Sequence, residues 1–349
     1  MATIAPCNSR GVVLLGETAV LSQTLNTGEG MEEELSSSIV QMGGTFPGGV
    51  VKHSHVLGRP YGTTLPNSTG KSIHALRLTP ELWTLSLPHR TQILFAADIS
   101  MVVARLALRP GCVVVESGTG SGSLTHALAR AVAPGGFVHT FEFNASRVEQ
   151  ARNEFAAHGL ATVVKVAHRD VVANGFLADV RSGGKEGDCG KVGIGSEAGV
   201  SRGGAHALFL DVPNPWGAIG HAREALFLNG TLCSFSPCIE QVQKTSLVME
   251  AEGFVDIRTF ETLLRPWQWG VKRNVGVSGE GAAETSASRA DKTVPPTAAE
   301  SLNPSQYVPW PTVEELTASS TAAGGLSIQP SPSSRGHTGY LTFATKARH

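Results

Sequence analysis

The chain of 349 residues is close to neutral, with 28 Lys and Arg against 29 Asp and Glu and a formal net charge of −1. This balance excludes binding of nucleic acid through a surface that is basic overall, so any polyanion must be held by a local patch or a partner subunit. The length predicts about two domains with enough chain to bury a core. The five cysteines form no C-x-x-C pair and no zinc spacing, which favours a reducing compartment. No stretch approaches the ~18 apolar residues of a membrane span and no signal-peptide core is seen, so we expect neither a membrane segment nor secretion.

Residues 1–78 predict a small β domain. The runs 11–21 and 49–57 read as strands broken by glycine, and the acidic, polar stretch 27–38 reads as a loop. His53 and His55 alternate in the second run and could be read as metal ligands. Two histidines in such a run more often share one face of a strand, so we expect no metal site here.

Residues 79–273 predict the main α/β domain, which begins with helical signals. Thr79 is a plausible cap for a first helical turn, and a helix is expected from about Asp98 to Leu108. The apolar residues of this helix surround most of its cylinder, which predicts deep burial. Arg109-Pro110-Gly111 ends it just before the first strand of the domain.

The stretch 112–123 predicts a strand, a tight glycine turn and the start of a helix. The apolar run ends in Glu116 and is followed by Gly118, Gly120 and Gly122. Glycines let a backbone turn sharply and approach a ligand, and a helix N-terminus offers free N–H groups. The third glycine comes one residue too early for the dinucleotide pattern G-x-G-x-x-G, which disfavours NAD. The pattern instead resembles motif I of the class I S-adenosylmethionine (SAM) methyltransferases, although an ordinary glycine-rich turn remains an alternative.

Two further strand ends carry polar residues. Glu142 ends the run 137–143, about one βαβ step after the glycines, where a carboxylate can accept both hydroxyls of a ribose. Arg147 follows in the first turn of a helix that Asn144 is expected to cap. The third strand, 161–168, leads into Asp170, placed where this class holds the adenine amino group.

The fourth strand, 205–211, carries the predicted chemistry at its end. Asp211 should face the same crevice as the glycines, because open α/β sheets bind ligands at the carboxyl ends of their strands. Pro213 and Pro215 stiffen the following loop and Trp216 offers an aromatic face, a combination suited to a flat base with an exocyclic amine. The alternative is that Asp211 caps the next helix and Trp216 belongs to the core.

The remaining chain continues the alternation of strands and helices, with two interruptions. The glycine-rich residues 182–204 predict a flexible insert, and residues 274–336 predict disorder because they hold too few apolar residues to fold alone. Residues 337–349 return to β alternation and predict a last strand, antiparallel beside 254–263. The fold class is therefore α/β, a Rossmann-like doubly wound sheet with an antiparallel last strand, preceded by the small β domain.

Five motifs in order give a specific resemblance. Together they resemble the catalytic subunit of the eukaryotic tRNA (adenine-N1)-methyltransferase that modifies the T-loop adenosine at position 58, within the class I SAM methyltransferases, and residues 53–62 resemble the N-terminal β-barrel of that family. The five motifs are residues 87–93, 116–123, 211–216, 233–243 and 336–346.

The resemblance implies a fold, a cofactor and residue roles. It implies that SAM is the cofactor, that tRNA is the substrate and that Asp211 is the catalytic carboxylate beside the cofactor. It also implies a noncatalytic RNA-binding partner in an α2β2 heterotetramer, and a location in the nucleus. Residues implied to contact SAM are Leu94, Ser121, Gly122, Ser123, Glu142, Arg147, Asp170 and Val171, to which we add Gly118 and Gly120 on physical grounds.

Three other functions stay open on the residues alone. A class I methyltransferase acting on a protein or small molecule would not depend on tRNA. A noncatalytic paralogue would have lost SAM binding, which the retained glycines and acidic residues disfavour. An adenine-N6 enzyme would require an N-P-P-Y-type turn, which residues 211–216 do not provide.

Overall fold

The computed structural model describes residues 12–14, 18–26, 31–39, 41, 45–46, 51–66, 72–88, 91–178, 199–271, 326–330 and 338–348. The chain divides into one compact unit of Met1–Gln23, Leu35–Leu264 and Gly336–His349, and a second unit of Thr24–Glu34 and Arg265–Arg335. Among the helices of the described ranges, none combines the length and the apolar composition that crossing a membrane requires.

The N-terminal part forms a four-stranded sheet with strand order β2-β1-β4-β3. Both β1 and β3 pair with β4 antiparallel. The pairing of the described strands does not close this sheet, so the barrel stays a prediction. The elements are β1 (Thr18–Asn26), β2 (Met31–Ile39), α1 (His53–Val56), β3 (Thr64–Pro66) and β4 (Ser72–Arg77).

Two predictions in this part are wrong. The polar stretch expected to be a loop contains β2, which shows that backbone pairing in a sheet can override weak β propensity. Residues 53–56 form a helical turn rather than a strand, because His53 and Val56, three residues apart, both face the core. His53 accepts a hydrogen bond from the Gln41 N–H through Nδ1 at 3.1 Å and packs edge-on against Phe46.

The main sheet has seven strands in the order β10-β13-β9-β8-β5-β6-β7. Its strands are β5 (Val113–Ser117), β6 (Phe137–Glu142), β7 (Val164–His168), β8 (Ala205–Leu210), β9 (Leu226–Ser236), β10 (Phe254–Glu261) and β13 (Tyr340–Lys346). Strands β9, β8, β5, β6 and β7 pair in parallel, whereas β13 pairs antiparallel with β9 and β10. This order confirms the doubly wound sheet with an antiparallel last strand.

Helices cover both faces of this sheet and bury two apolar clusters. One cluster includes Val114, Leu128 and Phe155, and the other includes Leu208 and Met249. Because both faces are covered, the central strands are continuous apolar runs rather than alternating ones. The helices are α2 (Pro80–Ser86), α3 (Ala96–Arg105), α4 (Ser123–Val132), α5 (Ala145–Ala157), α6 (Val171–Asn174), α7 (Ile219–Ala225) and α8 (Ile239–Ala251), with a 3₁₀ turn at Pro215–Ala218.

Helix boundaries follow the sequence signals closely. The Thr79 hydroxyl accepts from the Leu82 N–H at 3.2 Å, and the Asn144 side chain accepts from the N–H groups of Ser146 and Arg147, which confirms both predicted caps. Helix α3 ends at Arg105, before the predicted Leu108. The early end follows from the left-handed backbone of Ala107, whose φ is 50°.

The two predicted inserts lie mostly outside the described residues. For the first, residues 182–198 are not described, and Val200 forms a parallel bridge with Leu177. For the second, residues 274–325 and 331–336 are not described, but Leu326–Pro330 forms strand β12, antiparallel to β11 (Trp267–Val271). The prediction of disorder is therefore wrong for Leu326–Pro330. The boundaries proposed at 78/79, 273/274 and 336/337 stay predictions.

Candidate active site

A cleft lies at the carboxyl ends of β5, β6, β7 and β8. Its cavity has a volume of about 590 Å³, within the ordinary range for small-molecule sites. The loops that follow the parallel strands build it, as expected for an open α/β sheet. Its lining residues are Thr91, Gln92, Ile93, Leu94, Glu116–Gly120, Ser121, Ser123, Leu124, Phe141–Phe143, Arg147, Arg169–Val172, Phe209, Asp211–Asn214 and Phe235.

The glycine loop after β5 lies against the end of β8. Gly118 has φ +90°, and a Cβ added there would lie 2.2 Å from the carbonyl oxygen of Asp211. Only glycine fits this position, because both the backbone conformation and the space exclude a side chain. The Asp211 N–H also donates to the Ser117 carbonyl at 2.9 Å. The two segments are therefore held together through their backbones.

Glu142 joins the glycine loop to α5. Its Oε2 accepts from the Gly120 N–H at 3.0 Å, and its Oε1 accepts from the Asn144 N–H at 3.0 Å. The Arg147 guanidinium donates to the same Oε1 and forms an ion pair with it at 2.8 Å. The Glu142 side chain is 4% exposed, so burial makes this pairing necessary.

The third strand end contributes Asp170 and its neighbours. Asp170 Oδ1 accepts from the N–H groups of Val172 and Ala173 and so caps α6. Val171 is buried in the wall of the cleft. Phe143 lies in the cavity wall that also contains Glu142 and Asp170. It is 70% exposed, which is unusual for a large apolar side chain that lines a cavity.

Two carboxyl groups in the cleft have raised pKa values. Burial, followed by the negative charge of Glu142, raises the pKa of Asp211 to about 6. Burial also raises the pKa of Glu116 to about 7, although the Thr125 hydroxyl donates to it at 2.7 Å. Charges of like sign in a desolvated cleft oppose one another, so this cleft favours a ligand that carries positive charge.

The loop after Asp211 is fixed from α8. The Gln241 side-chain amide donates to the Pro213 carbonyl at 3.1 Å, and Lys244 Nζ lies 5.1 Å from the centre of the Trp216 ring. The 3₁₀ turn begins after Asn214 and has no side-chain cap, so the alternative role of Asp211 as a helix cap is wrong. Trp216 is half-buried and lies outside the cavity lining, whereas Pro213 forms part of it. The aromatic face expected from Trp216 is therefore not part of the cavity, whereas Pro213 offers an apolar ring there.

The structure brings together nearly all the residues predicted for the site. Gly122 is the exception: it precedes α4 with φ +74° and faces the ring of Phe155 instead of the cavity. The cavity residues in the predicted set are Leu94, Gly118, Gly120, Ser121, Ser123, Glu142, Arg147, Asp170, Val171 and Asp211.

Sequence reasoning missed several residues of the cleft wall. A phenylalanine directly after a strand-terminal acid was a usable sequence signal for Phe143. Thr91 and Phe235 lie within the motifs 87–93 and 233–243, and Arg169 directly precedes Asp170, but their residue types did not mark them as part of the cleft. Within the described ranges, no three His, Cys, Asp or Glu side chains are grouped as metal ligands would be.

Comparison with known families gives a match over most of the chain. Residues 71–184 and 185–346 match the model of the family described as "tRNA methyltransferase complex GCD14 subunit". The matched ranges include the glycine loop, the three acidic strand ends and β13.

Curated relatives match across the same region. The chain is 43% identical over 239 residues to the tRNA (adenine(58)-N(1))-methyltransferase catalytic subunit TRM61 of Cryptococcus neoformans, covering 67% of this chain and 50% of that protein. It is 42% identical over 218 residues to the corresponding subunit trmt61a of Dictyostelium discoideum, covering 62% of this chain and 64% of that one. The chain thus spans about half the length of the Cryptococcus relative.

Solved structures agree on the fold. A SAM-dependent O-methyltransferase from Thermotoga maritima superposes with a TM-score of 0.66 at 22% identity, covering 97% of this chain and 96% of that one. The tRNA (m1A58) methyltransferase TrmI from Aquifex aeolicus superposes with a TM-score of 0.58 at 20% identity, covering 97% and 100%. These likenesses establish a methyltransferase fold, and the family match covers well over half of the sequence. The chain therefore belongs to the family of GCD14 subunits of the tRNA methyltransferase complex.

Proposed function

We propose that this chain is a catalytic subunit that methylates N1 of adenosine 58 in tRNA, with SAM as methyl donor. The observation that carries the proposal is the desolvated carboxyl group of Asp211, held against the glycine loop in a cleft that already contains Glu142. The names of the curated relatives support the same reaction and substrate.

The residues of the cleft fit SAM. The missing Cβ atoms of Gly118 and Gly120 let the loop lie directly against Asp211 and Thr91 at the edge of the cleft, and the acidic surroundings suit a cation. Glu142 would accept a hydrogen bond from a ribose hydroxyl at Oε2, because this oxygen accepts from the Gly120 N–H and has about one further acceptor site, whereas Asn144 and Arg147 donate to Oε1. Asp170 would hold the adenine amine, with Phe143 beside the base. SAM supplies a methyl group on a positively charged sulfonium.

Asp211 would act on the base that is methylated. Adenine N1 has its own lone pair, so no group on the protein has to remove a proton before attack. As N1 gains the methyl group, positive charge spreads over N1, C6 and N6. An ionised Asp211 that accepts a hydrogen bond from the N6 amine would stabilise this charge, and the low polarity of its surroundings strengthens the interaction.

The target base has to leave the tRNA fold to reach Asp211. N1 is a pairing position, so the enzyme must take the nucleotide out of its stacked setting. Pro213 and Phe235 give the cleft apolar surface, against which a flat base can lie.

The remaining parts of the proposal concern assembly. Phosphate contacts dominate the affinity of proteins for RNA, yet the formal charge of this chain is −1. We therefore propose a noncatalytic, RNA-binding partner. The α2β2 heterotetramer and the nuclear location are proposed from the family resemblance alone. The isolated chain should bind tRNA weakly, and tight, salt-sensitive binding by this chain alone would contradict the proposal.

The test is transfer of labelled methyl from SAM to total tRNA, with and without a co-expressed RNA-binding partner, followed by nucleoside mass spectrometry. N1-methyladenosine is expected only with the partner. Asp211→Ala should lower turnover by ~10²-fold or more while retaining SAM binding. Asp256→Asn is a matched control, because Asp256 is exposed on β10, pairs there with the exposed Arg258, and has a left-handed backbone that asparagine tolerates. SAM binding without a methylated tRNA under either condition would refute the substrate and favour a protein or small molecule.

A further inference from the structure

Trp83 and His126 lie against the glycine loop, His158 packs behind them, and none of the three side chains lines the cavity. The indole N–H of Trp83 donates to the Ser121 carbonyl at 3.3 Å, and Nδ1 of His126 lies 2.6 Å from the Gly122 carbonyl oxygen. Nδ1 of His158, at the end of α5, lies 2.7 Å from Nε2 of His126. The Trp83 ring contacts both imidazoles, with ring centres 5.3 and 4.6 Å apart. The three side chains therefore form one connected group behind the loop.

The hydrogen bonds of this group have a fixed direction. A carbonyl oxygen can only accept, so His126 must carry its proton on Nδ1 and donate to Gly122. The Nε2 of the neutral ring is then an acceptor, so His158 must carry a proton on Nδ1 and donate to it. Burial lowers the pKa of His126 to about 4 and that of His158 to about 3, so both rings are neutral at physiological pH.

The glycines make the conformation of this loop depend on the contacts that hold it. Gly118, Gly120 and Gly122 all have positive φ, and glycine adopts many other conformations at little cost. Fixing the carbonyls of Ser121 and Gly122 from behind selects one conformation before the ligand arrives. When only a fraction of the protein molecules has the binding conformation, the apparent affinity for the ligand is reduced by that fraction.

We propose that Trp83, His126 and His158 are positioning residues for the cofactor, which hold the glycine loop in its binding conformation through the carbonyls of Ser121 and Gly122. The inference rests on the proposed function in that SAM is the ligand of this loop. It does not depend on tRNA or on the partner subunit.

The first test is the affinity for SAM, measured by calorimetry on the full-length chain well below its melting temperature. His126→Phe keeps a buried ring but removes the donor, and Trp83→Phe removes the indole N–H. We expect each to raise the Kd for SAM about tenfold, which corresponds to about 1.4 kcal/mol. In the tRNA assay they should raise the KM for SAM more than they lower kcat. His126→Asn should restore most of the affinity, because its amide nitrogen takes the position of Nδ1.

A matched control separates positioning from general stability. His206 is half-buried, whereas His126 is buried, and it likewise uses Nδ1, which accepts from the Val113 N–H at 3.0 Å at the opposite end of β5. His206→Phe should leave the Kd for SAM unchanged even if it lowers the melting temperature. An unchanged Kd in His126→Phe and Trp83→Phe would overturn the inference, and so would an equal rise in His206→Phe. Failure of the wild-type chain to bind SAM would overturn the proposed function and this inference with it.

A spectroscopic readout is independent of ligand binding. Nitrogen-15 NMR of the imidazoles should find His126 and His158 neutral at pH 6, with the proton of each ring on Nδ1. A protonated Nε2 and bare Nδ1 on His126 would overturn the inference, because that tautomer cannot donate to Gly122.

Discussion

Asp211→Asn should make the protein more stable at neutral pH while it removes activity. The pKa of Asp211 is raised from 3.8 to about 6, chiefly by burial. A shift of about two units corresponds to about 3 kcal/mol, at about 1.4 kcal/mol per unit, by which the folded state disfavours the ionised carboxylate. Asparagine has nearly the same shape and carries no charge, so it removes this cost.

The pH window of the effect follows from the direction of the shift. Between about pH 4 and 6 the folded state binds more protons at Asp211 than the unfolded state does, so this group lowers stability as the pH rises. Below pH 4 both states are protonated and the cost vanishes. The advantage of Asp211→Asn should therefore be small near pH 4, grow through pH 6 and reach about 3 kcal/mol at pH 8.

Urea unfolding of the wild-type chain and Asp211→Asn across this range measures the effect. Asp256→Asn on the exposed strand β10 is the control and should show no such trend. A variant that is no more stable than wild type at pH 8, or a difference independent of pH, would refute the argument from desolvation. The wild-type rate of methyl transfer should also fall below about pH 6, because a protonated Asp211 has no negative charge with which to stabilise the positive charge of the methylated base.

Three further predictions follow from the described contacts. Gly118→Ala should lower the free energy of unfolding by at least about 2 kcal/mol and abolish SAM binding, because its Cβ would lie 2.2 Å from the Asp211 carbonyl oxygen. Thermal melts and calorimetry test this, and wild-type values of the melting temperature and Kd would contradict it. Phe143→Ala should weaken SAM binding several-fold without lowering the melting temperature, since its side chain is 70% exposed in the cavity wall; an unchanged Kd would show that the ring stays in solvent. Arg130→Ala breaks the ion pair with Glu81 at 2.5 Å, but these side chains are 58% and 52% exposed. Urea unfolding should therefore show a decrease of less than about 1 kcal/mol in the free energy of unfolding, and a larger decrease would be evidence of a further role for Arg130.

The sequence predicts those parts of the site that depend on the strand, turn and helix order. Gly118, Glu142, Asp170 and Asp211 follow apolar runs, and parallel strands bring their carboxyl ends to one edge. The caps Thr79 and Asn144 are also predicted correctly, because a capping side chain bonds to N–H groups only two or three residues further along the chain.

Tertiary contacts explain what the sequence does not predict. His126 reads as one more residue of an amphipathic helix, and only folding brings His158, 32 positions away, to its Nε2. The polar strand β2 and the short β12 are stabilised by pairing with neighbouring strands, which their own composition does not reveal. The position of Trp216 outside the cavity, beside Lys244 of α8, is likewise a tertiary contact with no local sequence signal.

The position of β13 has a consequence for synthesis on the ribosome. β13 is made after every other strand of the main sheet, yet it lies between β9 and β10 and joins them. A nascent chain that has not reached Tyr340 can pair β9 with β8 but leaves the other edge of β9 open, and β10 has no strand to join. Open strand edges invite pairing with other chains, so this interval of translation is the time at which the nascent chain depends most on chaperones.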